Sequence, residues 1–427
     1  MPLRDPRWVV TAAAALVFVL LAATLNSVWD GTAEVSDVPH YDETGLRIQL
    51  GGVPYRDVAF EYPAGALPAI VVPEYLSHTF EGYAQVFAAG MVLCGVAAIV
   101  FAAIALARLD AGVGRTAAAL SLPALSPVLL GPLLLTRFDL LPAALAVGAL
   151  AAVLAGRDRL GGGVLGLGVA VKLWPALLLP LFLAWWRRRQ DWRTALTGLV
   201  ICIGVAAAIV LVPWIALAPA ELVESLWRQG SRPLQIESLG AAVLLALHHS
   251  FGMPLDWASS SGSQNLTGAV AAAAAAVTSV AQLAVLGWLW WRFARGPFVG
   301  ERLVRYAAAT VVAFVALGKV LSPQFLIWLV PLVPLVAGAR GVAAGLLLAC
   351  SCLLTRGWFP DDYWALVKQF DSTASWLVLA RDATLVALLG LLAWPGAKEQ
   401  GDPRVAATAK ERGPARSPSR VPLPDRT

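Results

Sequence analysis

Two carboxylates stand four residues apart in a stretch of this sequence rich in turn formers. The segment GGVPYRDVAFEYPAGALP at 51–68 opens on Gly51, Gly52 and Pro54, sets Arg56 beside Asp57, and follows Glu61 with Tyr62. A short helical turn puts Asp57 and Glu61 on one face. Paired carboxylates of this kind suit general-base work, metal binding or recognition of sugar hydroxyls. A solvated acidic loop with Asp57 paired to Arg56 accounts for the same residues without chemistry. Other polar groups interrupt apolar sequence: Arg137 and Asp139 in TRFD, Lys172 in VKLWP, and Arg232, Gln235 and Glu237 in SRPLQIES. His248 and His249 follow, then Lys319 and Gln324 in GKVLSPQF. A cation in apolar sequence is costly and usually faces a cavity on a substrate path, unless it snorkels to the interface. Adjacent histidines on a helix point apart, so at most one serves a given site. Arg381 and Asp382 read as a structural ion pair off this layer, and Asn265-Leu266-Thr267 matches a glycosylation sequon of a kind common by chance.

The elements that must position these residues are membrane helices. Hydrophobic residues make up 59% of the 427 and charged residues 14%, with a mean hydropathy of +0.71. Soluble domains carry about 25% charged residues, so lipid is the main solvent of this chain. Spans of about 20 apolar residues are expected at 8–25, 83–107, 116–135, 140–155, 194–216, 268–291, 306–320, 325–338, 341–355 and 374–393. The first follows Arg4 and Arg7 and reads as a retained helix, since it is longer than a signal-peptide core and no small-x-small site follows. Residues 161–186 read as two short helices turning near Lys172, and 239–251 as a half-helix at the outer face. Irregular backbone at membrane depth is tolerated only against protein or a wet cavity.

Charge distribution orients the chain. With the N-terminus inside, cytoplasmic segments hold 22 Lys and Arg against 9 Asp and Glu, and outer segments 9 against 17. Short basic loops stay in the cytoplasm, so the net charge of +5 and pI near 9.2 reflect topology and not a nucleic-acid partner. Trp8, Trp29, Trp185, Trp186, Trp214, Trp376 and Trp394 fall at span ends, as in an interfacial belt. Cys94, Cys202, Cys350 and Cys352 lie in apolar runs; Cys350 and Cys352 face different sides of a helix, which disfavours metal or disulfide chemistry. The expected fold is all-α: a polytopic transmembrane bundle of about 10–13 helices, some short and broken. One domain would span 1–394, with a large acidic first outer loop at 26–82, and residues 395–427 would form a disordered basic cytoplasmic tail.

These segments, taken in order, resemble the GT-C superfamily of membrane glycosyltransferases, and most closely glycosyltransferase family 87, which includes polyprenyl-phosphate-mannose-dependent alpha-1,2-mannosyltransferases. The resemblance rests on PYRDVAFEYP at 54–63, TRFDLLPA at 136–143, VKLWPALLLP at 171–180, RPLQIES at 232–238 and LSPQFLIWLVP at 321–331. Ala64 departs from the pattern, which has a second proline there. The resemblance implies a GT-C-type fold in the plasma membrane, with both termini cytoplasmic and an extracytoplasmic active site. It implies an inverting transfer of a sugar, mannose by analogy, from a polyprenyl-phosphate donor to an envelope glycolipid or glycan. Asp57 would be the general base, supported by Glu61. Lys172, Arg232, Lys319 and His248 or His249 would hold the donor phosphate, and Arg56, Tyr62, Arg137, Asp139, Gln235, Glu237 and Gln324 would contact substrate. Some members of the superfamily need a divalent cation such as Mg or Mn and others do not, so metal use stays open. The rival readings are a transporter or lipid-sugar flippase, which should show paired repeat halves, and a non-catalytic subunit of an envelope-assembly complex.

Overall fold

The computed structural model describes residues 5–28, 35–189, 191–218, 231–260 and 262–394. The expected basic tail at 395–427, Trp29 and the side chain of Trp214 lie outside the described residues. Among the described residues, seven helices are long and apolar enough to cross a bilayer: Pro6–Leu25, Phe80–Arg108, Val113–Leu134, Trp192–Val212, Ala269–Arg295, Gly338–Arg356 and Ser372–Ala393. Each coincides with an expected span. The first lies within α1 (Pro6–Val28), which packs on α4 (Phe80–Arg108) and α5 (Val113–Leu130). The expected span at 140–155 is the 15-residue α6 (Leu140–Leu154), buried along nearly all its length. That at 306–320 is the Gly300–Leu317 helix, whose first turns carry Glu301, Arg302 and Arg305.

Three elements are broken, and each break has a local cause. α7 (Asp158–Val171) ends where Lys172 turns extended, and Pro175 lacks the N–H that an α-helix would need, so a 3-10 turn at Trp174–Leu178 intervenes before α8 (Leu179–Arg189). This is the expected pair of short helices. The Leu239–Phe251 half-helix is also present; its 13 residues reach about 20 Å, and Gly252 closes it in the left-handed region. Residues 325–338 differ from expectation. Instead of a span they form a 3-10 turn at Pro323–Phe325, one α-turn at Leu326–Leu329 and a 3-10 turn at Val333–Leu335. Pro331 and Pro334 prevent a continuous helix, and full burial from Leu326 to Val336 lets protein, not lipid, face the irregular backbone.

Two features go beyond the sequence expectation. The expected first outer loop, at 26–82, contains α2 (Val38–Gln49) and α3 (Leu67–Leu76). A small antiparallel sheet, in the order β1 (Leu234–Gln235), β3 (Ser263–Thr267), β2 (Asp256–Ser260), stands among the helices. Ser260 pairs with Ser263 across a two-residue turn in which Gly262 has φ +66, a conformation glycine adopts without strain. The Trp belt is only partly as expected: Trp376 and Trp394 are exposed, but Trp185 and Trp186 point inward and are buried. Cys350 is exposed and Cys352 buried, on different faces as their spacing implies.

Candidate active site

Asp57 lies on a tight loop and not on a helical turn. Val53 and Asp57 exchange hydrogen bonds: the Asp57 N–H donates to the Val53 carbonyl (2.8 Å), and the Val53 N–H donates to Asp57 Oδ2 (3.0 Å). Tyr55 inside this loop has φ +71, which a non-glycine residue tolerates only when its surroundings hold it. Here its hydroxyl donates to the Tyr62 carbonyl at 2.9 Å and its ring meets Phe60 edge-on at 5.4 Å. Arg56 grips Asp57 with two hydrogen bonds, Nε to Oδ1 at 3.0 Å and Nη2 to Oδ2 at 2.8 Å. That guanidinium, helped by the Val53 N–H, lowers the Asp57 carboxyl to a pKa of about 2. Asp57 is therefore exposed and ionised. From Ala59 to Tyr62 the chain forms no helix, so Asp57 and Glu61 do not share a helical face. Glu61 is instead directed at the β2–β3 turn, where a Cβ added to Gly262 would sit 2.9 Å from Glu61 Oε2.

Beneath this loop is a buried ion pair. Asp139, 1% exposed, accepts a hydrogen bond from Lys172 Nζ at 2.6 Å and another from the Trp328 indole at 2.5 Å. The Lys172 ammonium lies 4.9 Å from the Phe138 ring centre, 5.4 Å from that of Trp328 and 6.0 Å from that of Tyr62. Trp174 stacks on Trp328 at 5.0 Å, and Tyr62 meets Phe138 edge-on at 4.8 Å. Gly65 makes this closeness possible, because a Cβ there would stand 2.5 Å from the carbonyl oxygen of Ala170. Arg137 pairs with Asp37 and donates to the Val35 carbonyl at 2.7 Å; burial lowers its pKa to about 10. Lys172, Arg137 and Asp139 thus pin the outer loop to the bundle.

The remaining cations meet elsewhere. A cavity of about 520 Å³ is lined by Arg232 and Lys319, by Leu234, Leu266 and Thr267 of the sheet, and by Ala272, Ala275, Ala276 and Ser279 of the Ala269–Arg295 helix. β1 fixes both cations: the Gln235 N–H donates to the Lys319 carbonyl at 3.0 Å on one side, while Leu234 and Gln235 pair with Leu266 and Asn265 on the other. Burial lowers the Arg232 pKa, against the attraction of Glu61, Tyr62 and Glu237. Arg232 also repels Lys319. Two cations on one cavity wall favour an anion between them.

Behind β1, Glu237 is buried and accepts from the Gln235 amide, which also donates to Ser322 Oγ at 2.8 Å. Burial, partly offset by Arg381, raises Glu237 to about 7. Arg381 pairs with Asp382 at 2.6 Å and reaches the Glu237 carbonyl at 2.6 Å, so this pair braces the RPLQIES segment and does not stand apart from it. The histidines do not line the cavity. His248 Nδ1 lies 2.6 Å from the Met253 carbonyl, with its ring 5.5 Å from Phe370 and 5.2 Å from His249. Gln324 is half-buried in the 3-10 turn after Lys319. Asn265 of the sequon is 1% exposed and its amide is bonded to the Ser260 and Ser263 carbonyls, which leaves no access for glycosylation. Among the described residues no three His, Cys, Asp or Glu side chains converge to hold a metal ion, so a divalent cation has no protein-only donor set there.

Tyr62, Lys172, Arg232 and Lys319 were candidates from the sequence, but nothing there pointed to Phe138, Trp174 and Trp328 around Lys172, to the alanines that line the cavity, or to the bracing of Glu237 by Arg381. Trp328 and Asp139 are 189 residues apart, and such a pairing leaves no local spacing signal. A comparison with curated proteins returned no match. A solved structure of ArnT from Cupriavidus metallidurans bound to undecaprenyl phosphate is similar over 93% of this chain and 79% of that one, at 14% identity and a TM-score of 0.47; a likeness at that level carries no functional weight. The sequence model of glycosyltransferase family 87 matches residues 60–323, a stretch that takes in Glu61, the Asp139–Lys172 pair and both cavity cations and begins three residues after Asp57. With seven apolar helices of membrane-crossing length and a family match over most of its sequence, the chain belongs to glycosyltransferase family 87.

Proposed function

We propose that this membrane glycosyltransferase takes its sugar from a polyprenyl-phosphate donor and transfers it, with inversion, to an envelope glycolipid or glycan. The chemistry would take place on the extracytoplasmic side of the plasma membrane, with both termini cytoplasmic. The observation that supports the donor class most is the Arg232–Lys319 cavity, whose lining joins two cations to three alanines of a helix long and apolar enough to cross a membrane. A lipid phosphate needs both, a charge-assisted grip on its oxygens and an apolar surface for its chain. As the sugar leaves the phosphate, negative charge grows on the leaving oxygens, and fixed cations there stabilise the transition state.

Asp57 would take the proton of the acceptor hydroxyl as that oxygen attacks the anomeric carbon. Its exposure admits an acceptor, and the Arg56 contact keeps it ionised at every working pH. A carboxylate with so low a pKa is a weak base at rest, so proton transfer would come late, when the attacking hydroxyl has become acidic. Glu61, facing Gly262 of the hairpin and in the field of Arg232, would orient hydroxyls. Mannose is the sugar that family analogy favours. The test is reconstitution with radiolabelled polyprenyl-phosphate sugars and glycolipid acceptors. Label should move to the acceptor with wild type and much more slowly with Lys319→Met; no transfer from any lipid-phosphate sugar, with transfer from a nucleotide sugar, would contradict the donor class.

A further inference from the structure

The Ala269–Arg295 helix begins beside the cavity, at Gly268, and runs for 27 residues. At 1.5 Å per residue it covers about 40 Å, longer than the ~30 Å hydrocarbon core. Its last turns therefore emerge on the opposite membrane face, at the level of lipid phosphates. Those turns carry Arg292 over the Trp288 ring at 5.2 Å and Arg295 over Trp291 at 4.6 Å. α8 packs against this helix and ends there in Arg187, Arg188 and Arg189. Arg189 lies over Trp185 at 4.9 Å, Arg187 over Trp192 at 5.6 Å and Arg188 over Phe298 at 5.5 Å. Phe298 joins the two helix ends, since its ring also contacts Trp185 and Phe293.

We propose that these two helix ends form a seat for the head group of an anionic phospholipid, with arginines of both helices gripping its phosphate and Trp288, Trp291 and Phe298 receiving its glycerol and upper acyl chains. Three observations separate a seat from an ordinary basic rim. Every cation at the two ends is arginine, none lysine, and the guanidinium fork matches phosphate oxygens in pairs. Each guanidinium lies over an aromatic ring, which restricts it and lowers the entropy lost on binding. No carboxylate lies within either helix end, and the nearest in sequence, Asp191, accepts a hydrogen bond from the Thr194 N–H at 2.7 Å at the start of α9 (Trp192–Leu217). Trp288 and Trp291 are 40% and 51% exposed, as rings that face lipid are.

The test uses the full chain in nanodiscs of phosphatidylcholine, with or without phosphatidylglycerol, and native mass spectrometry of retained lipid. Wild type should keep phosphatidylglycerol in preference to phosphatidylcholine and melt higher in its presence. Removing one arginine should weaken retention about fivefold, and the Arg188→Gln, Arg295→Gln pair about 25-fold. The Arg188→Lys, Arg295→Lys pair keeps the charge and should lose most of the preference with the fold intact, so it decides the matter if the glutamine pair does not fold. A matched change of charge at Arg157 and Arg159, at the start of α7, should have little effect. Equal loss from that control would show bulk attraction to a charged surface, and equal stabilisation by inorganic phosphate would show a soluble-anion site. Either result, or unchanged retention in the Arg188 and Arg295 variants, overturns the seat.

Discussion

A phosphate held between two guanidinium or ammonium groups loses a charge-assisted contact when either is removed, at about 1.5–3 kcal/mol each. Arg232→Met or Lys319→Met should therefore raise the donor KM by about tenfold to a hundredfold, measured with a lipid-phosphate sugar at saturating acceptor. Lys172 differs in kind, because its ammonium is engaged by Asp139 and enclosed by rings. Lys172→Met strands a buried carboxylate, a loss of about 3–5 kcal/mol for a broken buried pair. It should lower the melting temperature markedly, and the double change Lys172→Met with Asp139→Leu should recover much of it in a double-mutant cycle. A single variant that melts like wild type but loses donor affinity would instead put Lys172 on the phosphate. The distinction was not legible in the sequence. Lys172, Arg232 and Lys319 all read there as cations in apolar surroundings, and only contacts made across 33 and more residues set the one that binds Asp139 apart from the two that line a cavity.

Elements were legible where one physical rule dominates and illegible where several compete. Among the described residues every helix with an apolar run of membrane length was expected, and so was the break at Lys172, where the chain turns extended and Pro175 supplies no N–H to carry a helix on. The run at 325–338 has the composition of a span, but Pro331 and Pro334 and complete burial make it a folded-in irregular segment. The hairpin went unexpected, since its strands lack strong alternation. Strand β1 of the same sheet carries a pH response through its neighbour Glu237, whose folded pKa is raised by burial to about 7. A carboxyl with a raised folded pKa binds more protons folded than unfolded, so stability is greatest below its unfolded value and declines as pH rises through 7. The melting temperature of wild type should fall between pH 5 and pH 8, and Glu237→Gln should flatten that slope. The close approach at Gly65 makes a separate prediction: Gly65→Val must displace Ala170 and should destabilise by about 1–3 kcal/mol, read from the same melts.

For the whole molecule, we propose the topology that the charge partition favours, with both termini cytoplasmic. On a cysteine-free background, Asp57→Cys, Ser260→Cys and Asp362→Cys should react with an impermeant maleimide added to intact cells, while the exposed positions Arg157→Cys and Arg187→Cys should not. Reaction of the last two would invert the map and put Asp57 on the cytoplasmic side. Sidedness alone leaves a transferase and a flippase equally served by a lipid-phosphate cavity, and the base separates them. General-base catalysis contributes about 10²–10⁴-fold, and Asp57→Asn keeps the shape of the side chain while removing its basicity. The deciding measurement is therefore sugar transfer by reconstituted Asp57→Asn, beside wild type and Glu61→Gln, with donor binding followed in the same vesicles. The account predicts transfer lower by about 10²–10⁴-fold in Asp57→Asn, near-normal donor binding, and a milder loss in Glu61→Gln. Wild-type transfer by Asp57→Asn with loss in Glu61→Gln would move the base to Glu61, and wild-type transfer by both would contradict carboxylate catalysis at this loop.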